Sequence, residues 1–297
     1  MIFQFIENHQ HEFPVSGMCR VLEVSRSGYY AQRERQISAR KMADESQLSE
    51  IETAYAQSGG AYGSPRICRA LRQGEVVCSV KRVARLMRMH GLRAKGVKPR
   101  RAQYGIKRAQ PVPNLPQRDF AATGPDTKWV SDMTYIRTRQ GWLYLAAVLD
   151  LWSRRVIGWS MSTRMTSDLP ERALKMALMG RRPEAGLVHH SDQGSQYCSA
   201  SYQSLLQDHQ IRVSMNGAGA WSDNAPMESF FATLKRECIG QTLYSTRAEA
   251  RTALFAYIEG FYNRVRLHSS LGYQSPEGFE LAYSVVSYTL GSVHKNG

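Results

Sequence analysis

From residue 129 onward, short stretches rich in β-branched, aromatic and aliphatic residues alternate with polar turns. Residues 129–137, 142–151 and 155–162 read as three strands, parted by Arg139-Gln140-Gly141 and Trp152-Ser153-Arg154. The period then lengthens: Leu169, Ala173, Met176 and Ala177 recur at helical spacing over 168–180. A strand follows at 187–191, a helix at 200–209, a strand at 211–215 and a Gly-containing loop at 216–225. Pro226 then opens a helix that runs to about Ile239. The order β-β-β-α-β-α-β-α predicts an α/β fold, a mixed sheet with helices packed on it, over residues 122–240.

The flanks have other periods. Residues 1–45 are polar and helical, with 15–24, the turn Ser25-Arg26-Ser27-Gly28 and 29–35 reading as helix, turn, helix. Residues 46–105 form a second helical unit. There Pro65 opens a helix through Leu71 and Gly74 breaks it, while Ser79 caps a further helix that ends at His90 with Gly91 beyond it. That last helix carries Val80, Val83 and Met87 on one face and Lys81, Arg85 and Arg88 on another. An apolar back and a basic front suit a helix lying along a DNA groove. Residues 106–121 hold three prolines within six positions and predict an extended linker. Residues 241–297 read as a helical extension, with a helix near 247–264 and an ordered stretch over 267–279.

Charge sharpens this division. The chain has 297 residues and a net charge of +14. Residues 61–118 alone hold fifteen Lys and Arg against one acid, Glu75, so this segment carries the whole excess. Such concentration points to a polyanion, because each cation seated on a phosphate releases a condensed counterion. The expected DNA-binding side chains here are Lys81, Arg82, Arg85, Arg88, Lys95, Arg100 and Arg101. The five cysteines are scattered with no C-x-x-C pair, which argues for reduced thiols and against a disulfide frame or structural zinc. His9, His11 and Cys19 lack a fourth ligand at usable spacing. No apolar run approaches the ~18–20 residues that cross a bilayer, and no signal peptide opens the chain. A cytoplasmic protein without membrane contact is expected.

Three acids stand out by position. Asp132 lies inside the first strand, where a carboxylate is costly without a partner. Asp192 directly follows the strand Leu187-Val188-His189-His190-Ser191 and opens a Gly-containing loop, at the strand end where α/β folds bind ligands. Glu228 stands in the first turn of the last core helix, with Ala232 and Lys235 on its stripe and Met227, Phe230, Phe231, Leu234 and Cys238 on the buried face. Three converging carboxylates require a cation, and oxygen ligands without His or Cys select Mg²⁺ or Mn²⁺. Two such ions ~3.5–4 Å apart would serve in-line phosphodiester displacement. Asp150, Asp168 and Asp223 are rival acids better suited to turns and helix starts, and His189 and His190 to packing.

Asp132 and Asp192 lie 60 residues apart, and 35 residues separate Asp192 from Glu228. With WVSDMTYI, HSDQGSQY, DNAPMESFFATLKRE and YNRVRLHSSLGYQSP around and beyond them, this pattern resembles the D-D-(35)-E signature of bacterial insertion-sequence transposases encoded in two overlapping frames, and of retroviral integrases. The resemblance runs over about 126–279, on a ribonuclease-H-like core. The helical segment 46–105 is similar to the same family's helix-turn-helix region. It implies that Asp132, Asp192 and Glu228 hold two Mg²⁺, with Mn²⁺ able to substitute. It also implies that Lys235 contacts the transposon end, and that Gln193, Gly194, Ser195 and Tyr197 shape the loop beside the scissile phosphate. Arg266, with Asn263 and His268, would either hold DNA or pin the tail to the core. The implied chemistry is cleavage at the element's end, freeing a 3′-hydroxyl that attacks a second phosphodiester. The implied partners are inverted-repeat and target DNA, further copies of the chain in a dimer or larger assembly, and the upstream-frame product as fusion or partner. Two other readings stay open at this point: a DNA-binding regulator without catalysis, and a structure-selective nuclease on the same fold.

Overall fold

The computed structural model describes residues 2–33, 38–96, 122–215, 224–240 and 242–293, with side chains to 285. The expected linker 106–121, Arg100, Arg101, Asp223 and most of the 216–225 loop lie outside the described residues. Two compact units, Met1–Thr53 and Ala54–Gly297, divide within helix α4 (Ala39–Gln57). The boundary expected at 45/46 therefore falls inside a continuous helix, since no Gly or Pro interrupts this run of good helix formers.

In the first unit, α1 (Ile2–His9), α2 (Val15–Val21) and α3 (Arg26–Arg33) close round Ile6, Met18, Cys19 and Tyr29. The Ser25 hydroxyl accepts the Gly28 N–H at 3.0 Å, which starts α3 at the expected turn.

The second unit opens with a helix pair, α5 (Ser64–Gln73) and α6 (Val80–Met89). Pro65 sits in the first turn of α5, where its missing N–H costs nothing, and Gly74 caps the end. Ser79 accepts the Arg82 N–H at 3.2 Å and Gly91 leaves α6 at φ 69°. Val83, Leu86 and Met87 form the buried stripe of α6. Val80, expected on that face, is 42% exposed: it stands directly after the cap, and Leu86 takes the inward place.

The sheet comprises β1 (Lys128–Thr138), β2 (Gly141–Asp150), β3 (Val156–Ser162), β4 (Val188–Ser191) and β5 (Arg212–Met215), in the order β3-β2-β1-β4-β5. β1, β2 and β3 run antiparallel; β4 pairs parallel with β1, and β5 with β4. One face packs Trp129, Ala146 and Val148 against α7 (Asp168–Arg181) and α8 (Ala200–Asp208). Gly158 permits this approach, since a Cβ there would stand 2.2 Å from the Ala173 carbonyl oxygen. The opposite face packs Val130, Ile136, Leu145, Ala147 and Leu149 against α9 (Ala225–Leu234) and α10 (Arg247–Phe255). Neighbouring residues of β1 thus serve opposite layers, as the pleat requires.

The C-terminal segment is not an appendage. Ala250, Leu254, Tyr257, Ile258 and Tyr262 belong to the same core cluster as the sheet, so residue 240 marks no break in packing. The helices expected to run straight through 239 and 264 instead widen into π-helical turns at Lys235–Ile239 and Ala256–Tyr262. Asn263 extends the attachment like a further strand residue: its Oδ1 accepts the Val156 N–H at 3.0 Å and its Nδ2 donates to the Val156 carbonyl at 2.9 Å. A short 3₁₀ turn, Ser269–Leu271, leads to α11 (Pro276–Val293). There Glu280 accepts from Arg155 at 2.7 Å and from Arg181 at 2.6 Å. The same C-terminal segment receives the helix pair. Leu267 N–H donates to the Tyr62 hydroxyl at 2.8 Å, Arg66 Nε donates to the Leu267 carbonyl at 3.0 Å, and the Arg69 guanidinium lies 5.0 Å from the Tyr273 ring centre.

Candidate active site

Asp132 sits at the centre of β1, paired across to Ala147, on the face that α9 covers. Parallel pairing of β1 with β4 sets Val130 opposite His190. Carried two residues further, this register brings Asp192 level with Asp132, on a strand roughly 4.8 Å away. His189 has the opposite parity and turns to the other layer, where its ring bonds Ser131 Oγ at 2.8 Å and the Tyr202 hydroxyl at 3.1 Å. Asp192 therefore shares the Asp132 face. Glu228 comes down onto it from the first turn of α9, exposed on one stripe with Ala232 and Lys235, while Met227, Phe230, Phe231 and Leu234 are buried. The start of α9 is fastened beside Asp132: Asn224 Nδ2 donates to the Ser131 carbonyl at 3.1 Å. Sequence reasoning missed Asn224, whose partner lies 93 residues away.

The electrostatics record the convergence. Burial pushes the Asp132 carboxyl up to about 6, and the charges of Asp192 and Glu228 add to it against the Met133 N–H and Lys235. Like charges so close call for a counter-cation, and oxygen donors alone suit a hard divalent ion. Among the described residues, no three His, Cys, Asp or Glu side chains meet as a ready-made cage. One oxygen of Asp132 accepts the Met133 N–H at 2.7 Å and one of Asp192 accepts the Gly194 N–H at 3.0 Å, which leaves the second oxygen of each carboxylate for a metal. The donor set thus fits Mg²⁺ or Mn²⁺ in type and charge.

The other expected site residues separate cleanly. Gln193 and Ser195 are exposed on the loop after Asp192. Lys235 adjoins the acids and also lies 5.1 Å from the centre of the Tyr135 ring. Tyr197 is corrected: it is fully buried against Tyr202, ring centres 5.3 Å apart, and has no surface to offer DNA. Arg266 is corrected likewise. It is 3% exposed and makes a two-pronged bond to Glu237, Nε to Oε2 at 2.7 Å and Nη2 to Oε1 at 2.8 Å, with Tyr257 donating to the same carboxylate at 2.9 Å. It pins the tail. Asp150 accepts the backbone N–H groups of Asp126, Trp152 and Ser153, a turn role as expected. Asp168 pairs with Arg172 at 2.8 Å in the first turn of α7. On α6, Lys81 and Arg88 are exposed, with Arg82 and Arg85 half-buried; Lys95 is exposed beyond its end.

Comparison with known proteins agrees with this layout. Family models of the integrase core domain match residues 122–220 and 209–276, and a helix-turn-helix-like domain matches 42–101. Transposase InsF of insertion sequence IS3 from Escherichia coli K12 is 47% identical over 285 residues, covering 94% of this chain and 98% of its own. A 31 kDa protein of insertion element IS600 from Shigella sonnei, itself uncharacterized, is 42% identical over 267 residues, 90% of this chain and 98% of its own. Among solved structures, a simian T-cell lymphotropic virus intasome in complex with PP2A regulatory subunit B56 gamma matches with 16% identity. It covers 76% of this chain and 73% of that one, with a TM-score of 0.45. The HTLV-2 integrase catalytic core domain in complex with magnesium matches with 17% identity over 54% of this chain and 99% of that one, with a TM-score of 0.39. At 47% identity over nearly its whole length, with an integrase core behind a helix-turn-helix-like domain, the chain belongs to the IS3-type family of insertion-sequence transposases, polynucleotidyl-transferring enzymes of DNA transposition.

Proposed function

We propose that the chain cleaves DNA at the ends of its insertion sequence and transfers the freed 3′-hydroxyl into a second phosphodiester, with Asp132, Asp192 and Glu228 holding two Mg²⁺. The observation that carries this reading is the shared face. Acids from β1, the end of β4 and the first turn of α9 lie close enough for two of them to raise the third. When bound, the divalent ions supply Lewis-acid stabilisation of the displaced oxygen and a more acidic attacking hydroxyl. The chain's own residues do the rest. The sheet and the Asn224 anchor fix where the carboxylates stand, Lys235 offers a cation to the strand entering beside them, and Gln193 and Ser195 border that entrance. Lys81, Arg82, Arg85 and Arg88 on α6, with Lys95 beyond its end, hold the flanking duplex, and Arg100 and Arg101 extend the basic run. Two ends must be held together for transfer, so the working form is a dimer or larger assembly on DNA, with the upstream-frame product as fusion or partner.

End-labelled duplexes of the element's inverted repeats, incubated with Mg²⁺ or Mn²⁺, test this. Labelled products longer than the substrate are expected from wild type. They should fall by ~10²-fold or more in Glu228→Gln and vanish in EDTA. Shortened products alone would make the protein a nuclease. Binding without metal-dependent products, even with the upstream-frame segment fused, would make it a regulator.

A further inference from the structure

On the face of the sheet that carries the acids, the β2–β3 turn, one side of α9 and the 268–270 segment enclose a cavity of about 370 Å³. Arg154, Ser229, Thr233, His268, Ser269 and Ser270 line it, and no carboxylate does among the described residues. Arg154 is half-buried, and no carboxylate of the described residues lies within ion-pair distance of it. The carboxylate whose charge reaches it is Asp150, whose oxygens already accept three backbone N–H groups. Burial pulls the Arg154 pKa down, and a half-buried guanidinium without a counter-ion is costly. The turn itself does not ask for arginine. Arg154 sits at φ 59°, where Gly or Asn is more easily accommodated. His268 is held down to about 4 by burial and by Arg266, Arg154 and Arg66, so at neutral pH it offers a neutral ring, bonded to Ser270 Oγ at 2.8 Å.

A rigid cationic fork among hydroxyl groups matches a phosphate oxyanion. Leu149, also in the lining, pairs with Val130 on the Asp132 face. The Leu149 edge of the cavity therefore stands two strand residues, roughly 7 Å, from the Asp132 level, and Arg154 lies beyond it, past the end of β2. We propose that this cavity is a phosphate subsite centred on Arg154, and that in the transposase reading, on which this rests, it seats a backbone phosphate of the DNA strand entering the acid site.

The test uses the full chain in EDTA, so that binding is read without chemistry. Affinity for an inverted-repeat duplex is followed against salt for wild type, Arg154→Asn, which tolerates the left-handed turn, and Arg154→Lys. Melting is followed with inorganic phosphate against chloride at equal ionic strength. Arg154→Asn should lower the log–log salt slope by about one and lose the phosphate-dependent rise in melting temperature. Arg154→Lys should keep most of both. Loss of the phosphate response with an intact slope would support the subsite but assign it to a free phosphate group rather than to DNA. An Arg154→Asn protein that melts normally in chloride, with both readouts unmoved, overturns the proposal. Should that variant not fold, Ser269→Ala with Ser270→Ala removes two donors at unchanged charge, and an unaltered phosphate response there overturns it equally. A wild type that binds no DNA sinks the transposase reading instead, and the phosphate measurement alone then judges the cavity.

Discussion

At the scale of single residues, the buried ion pair under the C-terminal segment is the most exacting contact. Glu237 and Arg266 are both 3% exposed at the side chain. Burial alone would raise the Glu237 carboxyl, but the hydrogen bonds and charge of Arg266, with the Tyr257 hydroxyl, outweigh it and hold it below the usual glutamate range. A depressed carboxyl stabilises the fold above its unfolded pKa, and that contribution is lost as pH falls through the folded value. Glu237→Gln should therefore cost ~3–5 kcal/mol at pH 7, because a buried guanidinium is left unpaired, and should flatten the acid limb of the stability curve below about 4.5. Denaturant melts from pH 3 to 7 decide this, and a variant with the wild-type acid limb would show the pair to be unimportant. Tyr197 makes the opposite case. Its hydroxyl is buried without a partner, so Tyr197→Phe should change stability by less than ~1 kcal/mol and leave DNA affinity untouched; weakened binding would return it to the DNA surface. Neither fate was legible in the sequence. Tyr197 lies in the string that follows Asp192 and Arg266 in a polar string 38 residues beyond Glu228, and only tertiary burial distinguishes an anchor from a contact.

Elements were far more legible than their ends and faces. Stretches rich in β-branched, aromatic and aliphatic residues gave the three antiparallel strands within a residue or two, because such runs and the polar turns between them are local signals. The Ser79 cap and Gly91 stop of α6 stand where expected, since both are local chemistry. The π-helical turns after Leu234 and Phe255 left no such signal, as apolar spacing barely changes across one widened turn. The acid site was legible for a related reason: each acid sits at an element's end or in an apolar strand, where a carboxylate needs explaining. On α6 the exposed Lys81 and Arg88 are seven residues apart and project from the face away from Val83, Leu86 and Met87. If that face lies on DNA, replacing both by Gln should lower the salt slope of binding by about two and weaken affinity most at low salt. An unchanged slope would move the DNA to another surface of the helix pair.

For the larger compact unit as a whole, the question is where the catalytic domain ends. A composition shift near residue 240 suggests a core followed by an extension, yet Ala250, Leu254, Ile258 and Tyr262 complete the hydrophobic layer that begins with Val130 and Ile136. Burial of three large side chains of this kind, each worth ~1.5–3 kcal/mol, amounts to much of the ~5–15 kcal/mol by which a domain is stable. The hydrogen bonds from Tyr62 and Arg66 to the 265–267 backbone are weaker ties, at ~1 kcal/mol each. A fragment of residues 122–240 should therefore show no cooperative thermal transition and should expose apolar surface. A fragment of 122–285 should melt cooperatively even without the helix pair. Because α9 belongs to that shared layer, the short fragment should also lose its hold on Glu228. Amide exchange along 225–234 reads this directly: fast exchange in 122–240 and protection in 122–285 are expected. Protection in both would mean that the acid site is built by the sheet alone and that the C-terminal helices serve some other end.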